Sequence, residues 1–250
     1  MRQLAFPMFE LPALEREAIE FIRKHEPPEG CFVGFSGGKD SIALLQLVKL
    51  SGVKYEAWHT LSSIDPPEVV KLVKRDYPEV KIVKPEISIY EGIAQKCPPL
   101  RMRRWCCDWL RKHPTKKIPL THRLMGIRAE ESKRRASRPR IDSMMKWKIY
   151  KPLFHWPEWA VWEFINKHSL KYPSLYDEGE GRIGCVVCPF IMGESQTLTR
   201  RREQSMERWP GIWRAYKNAC RKWFEKKRAN NEGYTESFDE WWDKYLNGFE

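Results

Sequence analysis

The chain has 250 residues, 42% of them hydrophobic, and a formal net charge of +12 from 45 Lys and Arg against 33 Asp and Glu. That is long enough for a sizeable core in one domain or two, and no apolar run approaches the roughly 18 residues of a membrane span. Seven cysteines, an odd number, argue for free thiols or metal ligands and against a disulfide frame. The early prolines and acids of MRQLAFPMFELPALERE are wrong for a secretory signal, so a cytoplasmic protein without a membrane partner is expected.

Apolar residues at helical spacing predict a helix over Leu11–Lys24, ended before Pro27-Pro28. Cys31–Phe35 reads as a buried strand, Ser41–Leu50 as a helix and Tyr55–Thr60 as a strand. Pro67–Asp76 reads as a helix that begins on proline, a favoured first position. A strand over Lys81–Pro85, a short helix over Ile89–Gln95, a helix over Arg103–His113 and a strand over His122–Ile127 continue the alternation. Such alternation implies an α/β fold, a parallel twisted sheet with helices on both faces. Ser132–Ile149 is basic, poorly periodic and free of glycine, and is expected to be a mobile loop over the site. Glu158–His168 resumes a helix, and beyond Pro189 the chain turns helical and rich in Trp, Arg and Lys. Trp156, Trp159 and Trp162 lie at helical spacing and are expected in the core. Trp105, Trp109, Trp209, Trp213 and Trp223, interleaved with Arg and Lys, include candidates for stacking on bases.

Between the first strand and the second helix stands SGGKDS, Ser36 to Ser41. A Walker loop would need glycine where Val33 stands and a hydroxyl residue where Asp40 stands. Gly37 and Gly38 nevertheless allow backbone N–H groups to turn into one concavity, the following helix adds its positive end, and Lys39 adds a charge, so an anion is expected there. The alternative is an ordinary strand-to-helix turn with Ser36 as a cap.

The charge is uneven. From Cys97 to Trp156 there are 17 Lys or Arg against 4 Asp or Glu, so this stretch carries the whole basic excess. A polyanion or a phosphorylated substrate is the expected partner, with a solvated basic face as the alternative. Cys106-Cys107 and Cys185-x-x-Cys188 are separated by 77 residues. Four thiolates suffice for zinc or an iron–sulfur cluster. Adjacent cysteines diverge, which suits a four-iron cubane better than a tetrahedral zinc; buried unligated thiols are the third alternative.

SGGKDS resembles the PP-loop of ATP pyrophosphatases, which split ATP between the α and β phosphates. The chain is most similar to the phosphoadenosine-phosphosulfate-reductase-like family through HTLSSIDPPEVVKLVK (59–74), RRWCCDWLRK (103–112), GIRAEESKRR (126–135), KPLFHWPEWAVWEFI (151–165) and YPSLYDEGEGRIGCVVCPF (172–190). The resemblance implies that Ser36, Gly37, Gly38, Lys39, Asp40 and Ser41 hold ATP with Mg2+, and that Arg128, Ser132 and Arg135 grip its phosphate or the sulfate of a sulfonucleotide. Lys39, Asp40 and Arg128 are the implied catalytic residues. Asp65 is implied near the ribose or adenine, where it would bind magnesium, orient an attacking group, or only make a turn. The CC…CxxC pattern is similar to that of iron–sulfur adenylyl-sulfate reductases, implying a [4Fe-4S] cluster on Cys106, Cys107, Cys185 and Cys188. The family's reductases use a C-terminal Glu-Cys-Gly-x-His-type segment. This chain ends WWDKYLNGFE, and its last thiol, Cys220, lies in a helical pattern. The expected function is therefore ATP cleavage to AMP and pyrophosphate to activate a nucleic acid for sulfur incorporation, as in DNA phosphorothioation or tRNA thiolation, with a cysteine desulfurase as sulfur donor. Reduction of an adenylyl sulfate and a non-catalytic nucleotide-dependent binding module are the alternatives. The expected domains are 1–190, holding the PP-loop and the cluster ligands, and 191–250, a helical extension.

Overall fold

Leu11, Leu14, Ala18 and Ile22 recur at three- and four-residue spacing and are all buried, which seats the first helix, α1 (Leu11–Lys24), on the core. The computed structural model describes residues 10–248 except Met145 and Asn231. After α1 come β1 (Cys31–Gly34), α2 (Lys39–Ser51), β2 (Tyr55–Thr60), α3 (Pro67–Asp76), β3 (Lys81–Val83) and α4 (Ile89–Gln95). There follow β4 (His122–Met125), α5 (Lys133–Ala136), β5 (Ile141–Met144), β6 (Trp147–Tyr150), α6 (Glu158–Lys167), α7 (Gln196–Arg208), α8 (Pro210–Ala229) and α9 (Phe238–Asn247). No helix among the described residues is long and apolar enough to cross a membrane.

The chain divides into two compact units, and neither follows a boundary at residue 190. Among the described residues, the first comprises 10–59, 68–83 and 118–183; the second comprises 60–67, 84–117 and 184–248. All four cysteines of the two pairs therefore fall in the second unit with the C-terminal helices. The expected helical C-terminal region is present, and within this unit α8 packs along α4, its aromatic face covering Ile89 and Ile93.

The first unit is built on a six-stranded sheet in the order β3-β2-β1-β4-β6-β5. β1 pairs in parallel with β2 and β4, and β4 in parallel with β6. The edge strand β5 runs antiparallel to β6, with Ile141 opposite Tyr150 and Met144 opposite Trp147. This hairpin stands where a loop is expected over Ser132–Ile149. Its apolar residues Trp147, Ile149 and Tyr150 are buried while Lys148 is exposed. Arg140 donates to both carboxylate oxygens of Glu17 on α1 and tethers the strand's start. Arg123 on β4 is buried between the rings of Phe32 (4.3 Å) and Trp147 (4.0 Å), and burial pushes its pKa down to about 10.

In the second unit Trp213, Tyr216, Phe224, Phe238, Trp241, Trp242 and Tyr245 form an aromatic core that also holds Ile64, Cys106 and Val186. The Tyr216 and Tyr245 hydroxyls meet at 2.6 Å, and Tyr245 donates to the Pro99 carbonyl at 2.9 Å, so both buried phenols are satisfied. Trp213 and Trp223 are core residues, unavailable for base stacking. The expected helix over Arg103–His113 is a π-helical segment, Cys107–Lys112, ended where Pro114 carries no N–H to extend it.

Candidate phosphate loop and cysteine site

β1 delivers the chain to Ser36-Gly37-Gly38, and α2 begins at Lys39. Gly37 has φ +78°, and a Cβ there would lie 2.7 Å from Val69 Cγ1, so both the backbone and the space demand glycine. On the far side Gly126, just past β4, lets Asp40 approach, since a Cβ would meet the Asp40 carbonyl oxygen at 2.7 Å. The two serines lock the turn: Ser41 donates to the Gly38 carbonyl (2.8 Å) and accepts from the Ser36 N–H (3.1 Å). Gly38 N-caps α2 without a side-chain hydrogen bond, so the N–H groups of the first turn depend on acceptors from elsewhere in the chain or from outside it.

Lys39 is 4% exposed. Its Nζ donates to the Gly181 carbonyl and lies against Glu158 Oε1, both at 3.1 Å, while its N–H donates to the Tyr176 hydroxyl at 3.0 Å. Burial raises the Tyr176 phenol to about 12. Asp40 accepts from Arg128 Nε at 2.5 Å, and Arg128, 3% exposed, also donates to Glu130 and to the Trp156 carbonyl. Ser132 caps α5, accepting from the Arg135 N–H at 3.3 Å, and Arg135 pairs with Glu131. Burial and the neighbouring Arg182 charge lower the Arg135 pKa. The first unit thus brings Ser36 to Ser41 together with Arg128 through Asp40, and Arg135 lies within electrostatic reach. Tyr176, Glu158 and Arg182 were not among the residues expected there. A cavity of about 450 Å³ beside Arg128 is lined by Glu130, Phe154, His155, Trp156 and Trp159, and Trp159 is 48% exposed, not core.

In the second unit Cys106 is 6% exposed, and Cys107, Cys185 and Cys188 are partly exposed. Cys106 and Cys107 share a hydrogen bond that pulls the Cys107 thiol down to about 6 and pushes Cys106 up; Cys185 and Cys188 lie close enough to push Cys106 further. Arg111 donates to Cys185 Sγ (3.0 Å), to Asp65 Oδ1 (2.5 Å) and to the Thr60 carbonyl (3.2 Å). Asp65, buried, also accepts from the Ser62 N–H and hydroxyl, so it braces the turn and Arg111. Among the described residues no three His, Cys, Asp or Glu side chains gather as ligands of one metal ion.

The family model of the phosphoadenosine phosphosulfate reductase domain matches residues 30–190. The chain belongs to this family. Its relatives include an uncharacterized protein of Methanocaldococcus jannaschii, 32% identical over 81% of this chain and 45% of that one. They also include an adenosine 5'-phosphosulfate reductase of Geobacillus thermodenitrificans, 31% identical over 48% of this chain and 55% of that one. The chain spans about half the length of the curated relatives it matches. The fold is shared with the crystal structure of a phosphoadenylyl-sulfate reductase from Candida auris, at TM-score 0.53 and 17% identity over 73% of this chain and 97% of that one.

Proposed function

We propose that the chain is a PP-loop enzyme of sulfur chemistry that takes ATP at SGGKDS and cleaves it between the α and β phosphates. The observation that carries this reading is Lys39, a buried ammonium at the start of α2 beside two glycines. In this reading an acceptor oxygen attacks the α phosphorus, the bond to the bridging oxygen breaks, and pyrophosphate leaves with the electron pair. Lys39 and the loop N–H groups meet the charge that develops on the leaving group, which is where fixed charges accelerate a phosphoryl or adenylyl transfer. Ser36 and Ser41 hold the turn, Asp40 assists Mg2+, Arg128 keeps Asp40 in place, and Ser132 and Arg135 border the nucleotide.

The acceptor in this reading is a nucleic acid, DNA or tRNA, whose activated oxygen is replaced by sulfur from a cysteine desulfurase. The exposed Lys133, Arg134, Lys146 and Lys148 of the first unit support a polyanionic partner. Cys106, Cys107, Cys185 and Cys188 would hold a [4Fe-4S] cluster. Cys107, Cys185 and Cys188 all lie within electrostatic reach of Cys106, and the diverging side chains of adjacent cysteines suit one thiolate per iron better than a single zinc. Bound there, the cluster supplies an iron centre and ties together two segments distant in sequence.

A second reading, reduction of an adenylyl sulfate, is favoured by the names of the curated relatives. Product analysis separates the two. AMP and pyrophosphate from ATP, formed with DNA or tRNA present, support the first; sulfite from an adenylyl sulfate, without ATP turnover, supports the second.

A further inference from the structure

We infer that Tyr176, Glu158 and Arg182 belong to the anion site, the first two holding the donors that a bound polyphosphate takes, and the third completing the site around it. This rests on the reading of SGGKDS as a phosphate loop.

Lys39 brings two donors to that loop, and groups more than a hundred residues away hold both. The Tyr176 hydroxyl accepts the Lys39 N–H at 3.0 Å, and a Cβ on Gly38 would meet that same oxygen at 3.2 Å, so the phenol stands over the loop at the start of α2. A phosphate oxygen seeks that position, because the first N–H groups of a helix are its anion donors. Glu158 Oε1 and the Gly181 carbonyl stand against the ammonium, a carboxylate taking the place of an external anion. Arg182 follows Gly181 directly, is exposed, and has no ion pair among the described residues. Its charge opposes that of Arg135, and an anion between the two guanidinium groups relieves that repulsion. Displacing a carboxylate and a phenol together favours a di- or triphosphate over a monophosphate.

The Tyr176 ring is held independently of its hydroxyl, packed edge-on against Trp162 at 5.0 Å. Tyr176→Phe therefore removes the competitor and leaves the packing. Titration with inorganic pyrophosphate tests the assignment. Tyr176→Phe should bind roughly three- to tenfold tighter than wild type, the worth of one net hydrogen bond. Arg182→Ala should bind roughly tenfold weaker, the worth of a charge-assisted contact. Equal or weaker binding by Tyr176→Phe with unchanged melting overturns the inference while the loop remains an anion site. No binding by any form overturns both. If Tyr176→Phe melts early, hydrogen exchange of wild type decides: saturating pyrophosphate should speed exchange across residues 174–183, and unchanged exchange overturns the inference.

Discussion

Arg128 Nε donates to Asp40 Oδ1 at 2.5 Å across 88 residues of sequence, and so joins the GIRAEE segment to the start of α2. Both groups are largely withdrawn from water, with side-chain exposures of 3% and 19%. Removing Arg128 strands the Asp40 carboxylate, which for buried pairs costs about 3–5 kcal/mol. Arg128→Met should lower stability in urea by about 3 kcal/mol, and Asp40→Asn in the same chain should recover part of it. Simple additivity in this double-mutant cycle would show that the two groups do not interact.

Lys39→Ala tests the loop itself. A charge-assisted contact that strengthens as the leaving group forms is worth several kcal/mol, so turnover of ATP should fall by about 10² or more. ATP binding should weaken less, because the backbone N–H groups remain. The products of the wild-type reaction are expected to be AMP and pyrophosphate; ADP and phosphate would show cleavage at the wrong bond.

Protein purified without oxygen should be brown and carry about four irons per chain, one for each of Cys106, Cys107, Cys185 and Cys188. Cys185→Ser should bleach the colour and lower the melting temperature together, because ligation links separate segments of the second unit. Stoichiometric zinc in colourless protein would refute the cluster.

Cys31 gives a pH dependence. Burial first, then Glu26 and Glu29, raise its pKa from 9.0 to about 12. The unfolded chain loses this proton above about 9 while the folded chain keeps it, so stability from this residue is intact below pH 9 and declines from pH 9 towards 12. Alkylation by iodoacetamide at pH 8 should spare Cys31 until denaturant is added. Prompt labelling of native protein at this position would contradict the burial.

Gly126→Ala should hurt the site more than the fold. The added Cβ meets the Asp40 carbonyl oxygen at 2.7 Å, so β4 and the start of α2 must separate. ATP affinity and turnover should both drop while far-ultraviolet circular dichroism stays close to wild type. Undiminished ATP binding would place the nucleotide elsewhere.

The helices α1 and α3 and the strand β2 were legible because apolar periodicity and flanking Pro or Gly mark both ends. The hairpin of β5 and β6 was not, since its signal is a short Trp-x-Ile-Tyr alternation inside a basic run with no turn glycine. SGGKDS announced itself through local chemistry, whereas Tyr176 and Glu158 reach Lys39 only by tertiary folding, which no spacing reveals. The break at residue 189 was a real change in composition, but composition cannot show that α8 lies on α4. Trp159 follows a helical period yet points outward, because Ala160 and Val161 already fill the buried face of α6.

At the ribosome, the second unit waits for its own last pieces. Cys106 and Cys107 leave the exit tunnel long before α8 and α9, whose aromatic rings bury the segment around them. At about 5–20 residues per second the pair spends seconds uncovered, open to oxidants and to stray metal ions. A centre that uses both cysteine pairs can close only after Cys185 and Cys188 have followed, nearly 80 residues later.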